Sequence, residues 1–165
     1  MQTDADPTTI IRSAGSEPPF VETLARIKEI DVDHELDVYD ARRGVHQQAM
    51  TLGFKSDQAH YLVTALTELA NNIVFHSLGG WVAIHQILES STDPFALPRT
   101  GIRITACDRG PGIRDIEQAK QDGFSTTNSL GCGLSGVARL MDQLDIVSSE
   151  NGTRVQAVMW ARGEL

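Results

Sequence analysis

Three glycines, Gly131, Gly133 and Gly136, stand immediately before a helical pattern, and this spacing constrains the fold more than any other feature of the chain. Backbone amides at a helix start are free to bind an anion, and the helix dipole favours negative charge there. The spacing also matches G-x-G-x-x-G, but a dinucleotide site needs a strand before the loop and a parallel βαβ unit around it. No strand pattern leads into residue 131. The segment therefore predicts a phosphate-binding loop outside a Rossmann fold.

A carboxylate and an amide share one face of a long helix upstream. An apolar stripe with spacings of three and four predicts a helix capped by Ser56 or Asp57 and running to about residue 76: Leu62, Leu66, Leu69 and Ile73. Glu68 and Asn72 lie four residues apart on it and project from the same face. Asn72 offers the neutral oxygen that Mg²⁺ accepts, and Glu68 can take a proton from an attacking hydroxyl. Asn71 is an alternative ligand, and a solvated helix face is the alternative to a site.

A second carboxylate closes a predicted strand. Residues 101–108 alternate apolar and polar positions, and Asp108 is followed at once by Gly110-Pro111-Gly112. The carboxylate can accept from the amino group of adenine, and the glycines let the backbone approach a ligand closely. An ordinary strand-to-turn corner is the alternative. Thr153 opens the last strand, from which its hydroxyl can reach the same ring.

The order of elements predicts the architecture. The segment from residue 21 to 30 is a strand or a short helix, residues 33–52 are a helix, and residues 81–88 and 101–108 are strands. A short helix over 113–120, a helix over 134–142 and a hairpin turned at Asn151-Gly152 complete the pattern. The fold class is α+β: a two-layer α/β sandwich whose mixed, mostly antiparallel sheet is covered by helices on one face.

Composition bounds the partners and the compartment. The net charge of −8 is concentrated at the start, because residues 1–40 carry ten acidic and three basic side chains. This distribution argues against a nucleic-acid partner. No apolar run approaches the roughly 20 residues of a membrane span, and no signal peptide is visible. The two cysteines, Cys107 and Cys132, lie inside the glycine motifs, and we do not expect a disulfide between them. Free cysteines are typical of proteins in a reducing cytoplasm, so we expect a cytoplasmic protein.

The domain division follows the same patterns. Residues 1–20 are rich in Thr, Asp, Ser, Pro and Gly, which predicts a flexible acidic tail before one domain over residues 21–165. Residues 123–130 are small and polar between glycines, which predicts a mobile lid that orders when a nucleotide binds.

These motifs in this order resemble the boxes of the GHKL (Bergerat-fold) ATPase and kinase superfamily. The runs D-R-G-P-G-I-R-D and L-G-C-G-L-S-G, with E-x-x-x-N upstream, are most similar to RsbT-type switch kinases of bacterial partner-switching systems. The resemblance covers about residues 24–162. Two positions depart from it: Arg109 stands where an acidic residue is common, and Cys132 where an apolar residue is usual.

The resemblance implies ATP and Mg²⁺ as cofactors, with Glu68 as general base and Asn72 as metal ligand. It implies nucleotide binding by Asn72 and by the adenine reader, the hinge, the phosphate loop and the last strand: Asp108, Gly110, Gly112, Gly131, Cys132, Gly133, Leu134, Gly136 and Thr153. The implied activity is a serine/threonine kinase that phosphorylates a STAS-domain antagonist and, once released, binds a downstream phosphatase or other regulator. The alternatives are an RsbW-like anti-sigma factor that phosphorylates its own anti-anti-sigma partner, and a non-catalytic nucleotide-binding adaptor.

Overall fold

Five strands form one sheet in the computed structural model, which describes residues 20–121 and 133–163. They are β1 (Phe20–Val32), β2 (Gly80–Ser90), β3 (Arg99–Asp108), β4 (Gln143–Ser149) and β5 (Gly152–Trp160). Their spatial order is β1-β2-β3-β5-β4, and all four pairings are antiparallel. The mostly antiparallel sheet is thus confirmed, and the segment from residue 21 is a strand. The predicted tail (except Phe20), the predicted lid, Gly131 and Cys132 lie outside the described residues.

Four helices accompany the sheet: α1 (Tyr39–Thr51), α2 (Ser56–His76), α3 (Ile116–Ala119) and α4 (Gly133–Leu140). The single helix predicted over 33–52 is divided, because a 3₁₀ turn at Glu35–Val38 precedes α1. The Asp37 carboxylate produces this tight turn by accepting from the backbone N–H groups of Asp33 and His34, at 2.9 and 2.8 Å. A side-chain acceptor of this kind binds backbone N–H groups that have no partner within the helix, and it thereby stabilises the helix start.

The core lies between the helices and one face of the sheet, as the two-layer prediction requires. The apolar stripe of α2 is fully buried there, as are alternate residues of the central strands: Leu62, Leu66, Leu69, Ile73, Val82, Ile84, Ile102 and Ile104. Gln58 joins the start of α2 to the end of β5, since its side-chain amide donates to the Trp160 carbonyl oxygen at 2.8 Å and accepts from the Arg162 N–H at 3.1 Å.

Strand register brings the end of α2 and the end of β3 to the same edge of the sheet. Val32 at the end of β1 pairs with Gly80, which in turn pairs with Asp108. Because α2 ends at His76, only a few residues before Gly80, its C-terminal half lies beside the strand end that carries Asp108. We refer to this side of the molecule as the Asp108 edge.

The final hairpin differs from the sequence expectation by one residue. Its register pairs Ser149 with Gly152 and Ser148 with Thr153, so the turn residues are Glu150 and Asn151 rather than Asn151 and Gly152. Gly152 is needed for packing instead: its φ is +141°, and a Cβ there would lie 2.1 Å from the carbonyl oxygen of Asp108. Close approach of two strands, not turn geometry, places the glycine.

Within residues 20–121 and 133–163, no helix is both long and apolar enough to span a bilayer.

Replacing Leu66 tests the packing of α2 on the sheet. Leu66 has no solvent exposure, so Leu66→Ala should lower the free energy of unfolding by about 2–5 kcal/mol through lost contacts and a cavity. Leu36 is 82% exposed, and Leu36→Ala should change it by less than about 0.5 kcal/mol. Urea denaturation followed by circular dichroism measures both. Equal, small losses in the two variants would contradict this packing.

Candidate functional site

A cavity of about 470 Å³ opens at the Asp108 edge between α2, the segment after β3, the start of α4 and β5. Its lining combines apolar walls with a few polar groups, as in small-molecule sites. The residues that matter below are Asn71, Asn72, Phe75, Asp108, Gly110, Gly112, Ile113, Gly133, Leu134 and Thr153. Most residues assigned from sequence in the described part of the chain are therefore brought around one space.

Asp108 is held by backbone donors from two directions. Its Oδ1 accepts from the N–H of Gly110 at 2.8 Å and from the N–H of Thr153 at 3.2 Å. The other oxygen, Oδ2, accepts no hydrogen bond from any residue of the described ranges. The carboxylate is thus fixed in orientation, with one oxygen left to accept from a ligand.

The hinge after Asp108 lies directly against the β4–β5 hairpin. Gly112 has a φ of +81°, and a Cβ there would meet the carbonyl oxygen of Ser149 at 2.1 Å. Both the backbone conformation and the contact therefore require glycine at this position. The next residue, Ile113, donates its N–H to the Ser148 hydroxyl at 2.7 Å and lines the cavity.

Thr153 takes part in the same network. Its side chain is buried, lines the cavity, and lies 2.8 Å from the hydroxyl of Ser148, oxygen to oxygen. Ser148 does not line the cavity itself, and sequence reasoning missed it. Only the register of the hairpin could have indicated its contact with Thr153. The turn expected at Asn151-Gly152 hid this contact, because it would have placed Ser148 opposite Val155.

Asn71 and Asn72 both line the cavity, so the geometry does not choose between them as oxygen donors. Glu68 is buried one turn before Asn72 and does not belong to the cavity lining. Burial raises the pKa of its carboxyl, because desolvation penalises the charged form, and a hydrogen bond from the N–H of Gly133 opposes that rise. Glu68 is therefore linked to the first residue of α4.

The start of α4 forms one end of the cavity. Gly133 and Leu134 line it, whereas Gly136 is buried within the helix. Gly131 and Cys132 lie outside the described residues. The described end of the glycine motif, Gly133 and Leu134, therefore lies at the same cavity as Asp108, and Gly133 also contacts Glu68.

The cavity suits an adenine nucleotide by its chemistry. The apolar side chains of Ala106, Val155 and Leu134 can flank a planar base, and Asp108 offers one open acceptor. In the ranges that the structure covers, no group of three or more His, Cys, Asp or Glu side chains can hold a metal ion. A lone amide oxygen such as that of Asn72 fits Mg²⁺, which keeps several waters and takes other ligands from substrate phosphates.

One wall was not expected from sequence. Arg114 and Asp115, just before α3, and Gln118, within α3, line the cavity. Asp115 caps α3 by accepting from the Gln118 N–H at 2.9 Å. The predicted short helix was the only feature of the sequence that could have indicated this wall.

Two residues next to Asp108 lie apart from the proposed chemistry. Arg109 is exposed and does not line the cavity. Burial raises the pKa of the neighbouring Cys107 thiol to about 11, so this thiol stays protonated at neutral pH and is a poor nucleophile.

Comparisons with known proteins identify the family of this chain. Residues 32–159 match the family described as a histidine kinase-like ATPase domain. The serine/threonine-protein kinase RsbT of Bacillus subtilis is 39% identical over 129 residues, which are 78% of this chain and 92% of the relative. An anti-sigma F factor of Anoxybacillus flavithermus is 29% identical over 110 residues, 62% of this chain and 69% of the relative.

A solved structure supports the fold alone. The crystal structure of the RsbU and RsbW domains of a Mycobacterium tuberculosis protein superposes with a TM-score of 0.50 at 16% identity. The match covers 90% of this chain but only 34% of that longer chain.

The buried state of Glu68 predicts a pH-dependent stability difference. Because its pKa is raised in the folded chain, ionisation of Glu68 disfavours folding once the pH exceeds the ordinary value of 4.5. Glu68→Gln stays neutral and can keep an acceptor for the Gly133 N–H, so it should unfold at a higher temperature than the parent at pH 7. The gain should shrink as the pH falls toward 4.5 and be absent below that value. Calorimetry across pH measures it, and a constant loss at every pH would refute the desolvation argument.

Proposed function

This chain belongs to the histidine kinase-like ATPase family, and from that premise we propose that it is a cytoplasmic serine/threonine protein kinase that phosphorylates a STAS-domain antagonist in a partner-switching pathway. The carrying observation is the single cavity that joins Asp108, Asn72 and the start of α4, where Gly133 meets Glu68. After transfer and release, the kinase binds a downstream phosphatase or another regulator. The similarity to RsbT, which spans 92% of that kinase, favours this function over the alternatives.

In the proposed nucleotide complex the base lies beside Asp108 and the phosphates lie toward α4. Asp108 accepts from the amino group of adenine through its open oxygen, and the amides at the start of α4 face the phosphates. Asn72 supplies an oxygen to Mg²⁺, which offsets phosphate charge when bound. The remaining phosphate contacts are expected from the glycine loop that includes Gly131 and Cys132.

The proposed transfer uses Glu68 as the base. The acceptor hydroxyl oxygen forms a bond to the γ-phosphorus while the bond to the β–γ bridging oxygen breaks, ADP leaves, and the hydroxyl proton passes to the Glu68 carboxylate. A raised pKa makes this carboxylate a better proton acceptor than an exposed one. Because Gly133 donates to it, Glu68 is held close to the end of the cavity where the phosphates are expected.

Exposed apolar side chains beside the cavity support a protein acceptor. Phe75 lines the cavity and is 49% exposed, and Leu78, just after α2, is 86% exposed. Leu36 and Tyr39 follow the end of β1, which pairs with Gly80, so they belong to the same edge and are 82% and 66% exposed. Apolar surface of this kind marks protein contacts. We call these four residues the apolar rim.

An anti-sigma factor is the second candidate, because anti-sigma F factors are 29–30% identical over about two thirds of their own length. A sigma factor retained by this chain in a pull-down, together with phosphorylation of its anti-anti-sigma partner, would favour it. A non-catalytic adaptor is the third, and it would bind ATP without any transfer. The intact Glu68 favours a kinase over the adaptor.

Removing the base should separate binding from catalysis. With γ-labelled ATP, Mg²⁺ and STAS proteins from the same genome, the parent chain should place acid-stable phosphate on one of them and none on itself. Glu68→Ala should keep ATP affinity but slow transfer by about 10²–10⁴-fold. Asn72→Ala should also lose the Mg²⁺-dependent part of binding, whereas Asn71→Ala should keep it, and this comparison decides which of the two amides is the ligand. Acid-labile phosphohistidine, or full transfer by Glu68→Ala, would overturn the proposal.

The apolar rim predicts a defect confined to the protein substrate. Leu78→Ala should raise KM for the STAS protein roughly fivefold, about 1 kcal/mol, with unchanged ATP affinity. Leu97 is the matched control, because it is 87% exposed but lies in the β2–β3 loop at the opposite edge of the sheet. Steady-state kinetics with saturating ATP measures both variants. Equal KM values for the two would exclude the rim as a docking surface.

A further inference from the structure

Ser148 lies behind the cavity, where it touches two residues that line it. Its hydroxyl oxygen accepts from the N–H of Ile113 at 2.7 Å and lies 2.8 Å from the hydroxyl oxygen of Thr153. We propose that Ser148 is a positioning residue that fixes the direction in which the Thr153 hydroxyl donates, and that it thereby sets the preference for adenine. The inference rests on the proposed function, since it requires an adenine nucleotide beside Asp108.

The hydrogen-bond inventory of the pair favours one direction. Ser148 has one proton, and Thr153 is the only acceptor within its reach among the residues that the structure describes. If Thr153 donated to Ser148 instead, the Ser148 proton would have no protein partner in a half-buried position, which is unfavourable. When Ser148 donates to Thr153, each Ser148 group is used, and the Thr153 proton remains for the cavity.

The edge of the site then presents one acceptor beside one donor. Among the described residues, none donates to Oδ2 of Asp108, whereas Oδ1 accepts from the N–H groups of Gly110 and Thr153. Thr153 lines the same cavity, so a hydroxyl proton that is not used by Ser148 is available to a ligand there. Adenine offers the complement, with the N6 amino group as donor and N1 as acceptor, and the contact to N1 is direct or through one water.

A 6-oxopurine in the same orientation reverses both groups. Hypoxanthine and guanine carry an acceptor at O6 and a donor at N1, so O6 faces the Asp108 carboxylate and N1–H faces a hydroxyl that already donates. The mismatch at Asp108 remains whatever Ser148 does. The mismatch at N1 depends on Ser148, because a Thr153 hydroxyl released from it can rotate and accept. Loss of the Ser148 hydroxyl should therefore weaken discrimination without abolishing it.

ATP and ITP are the sharpest probes, since their bases differ only at these two positions. Calorimetry with the full chain, Mg²⁺ and no acceptor protein gives both dissociation constants. Ser148→Ala should lower the ratio of ITP to ATP dissociation constants by about three- to tenfold, the effect of one hydrogen bond. Ser149→Ala is the control, because Ser149 is exposed on the other side of β4. In a Thr153→Ala background, Ser148→Ala should leave the ratio unchanged, which a merely structural role would not predict.

An isosteric pair keeps the test decisive if the alanine variant does not fold. Ser148→Thr retains the hydroxyl and should keep the parent ratio of dissociation constants. Ser148→Val has the same shape as Ser148→Thr but no hydroxyl, so it should lower the ratio as Ser148→Ala does. An unchanged ratio in Ser148→Ala or Ser148→Val, with ATP still bound, overturns the role of Ser148 and leaves the kinase proposal intact. A parent chain that binds neither nucleotide overturns both.

Discussion

A single carboxylate oxygen connects the end of β3 and the hinge after it with the start of β5. Oδ1 of Asp108 accepts from Gly110, in the hinge, and from Thr153, at the start of β5. These two hydrogen bonds orient the side chain of a residue that lines the cavity, so a ligand that binds the carboxylate does not have to order it. The glycines pack around the same point, because a side chain at Gly152 would collide with the Asp108 carbonyl oxygen.

Local patterns were sufficient where one element determines the geometry. The four-residue spacing of Glu68 and Asn72 placed them on one face of α2, and the alternation in residues 101–108 placed Asp108 at a strand end. Register between strands was not accessible in the same way, since Asn151-Gly152 is a strong turn signal taken on its own. The structure uses Gly152 to approach Asp108, and the slip of one residue puts Ser148 opposite Thr153. A requirement set by a distant strand outweighed local turn chemistry, so this part of the site could not be predicted.

Glu68 shows a conflict between stability and the proposed chemistry. A buried carboxylate disfavours the fold when it ionises, yet the same desolvation raises its basicity. The Gly133 N–H partly offsets the unfavourable burial and links the base to the start of α4. The backbone amides at the start of α4 are also the proposed phosphate site. A phosphate bound there would therefore lie near Glu68, the group proposed to take the proton.

The two kinds of recognition are separated in the architecture. The contacts proposed for the nucleotide are fixed by backbone hydrogen bonds and close glycine packing, so few substitutions leave them unchanged. The apolar rim consists of exposed side chains on the 3₁₀ turn, on α1, at the end of α2 and just after it, where a substitution alters little of the core. Such a surface can change its partner while the cavity keeps the same chemistry. The cavity therefore carries the information about the reaction, and the identity of the acceptor protein must be sought at the rim.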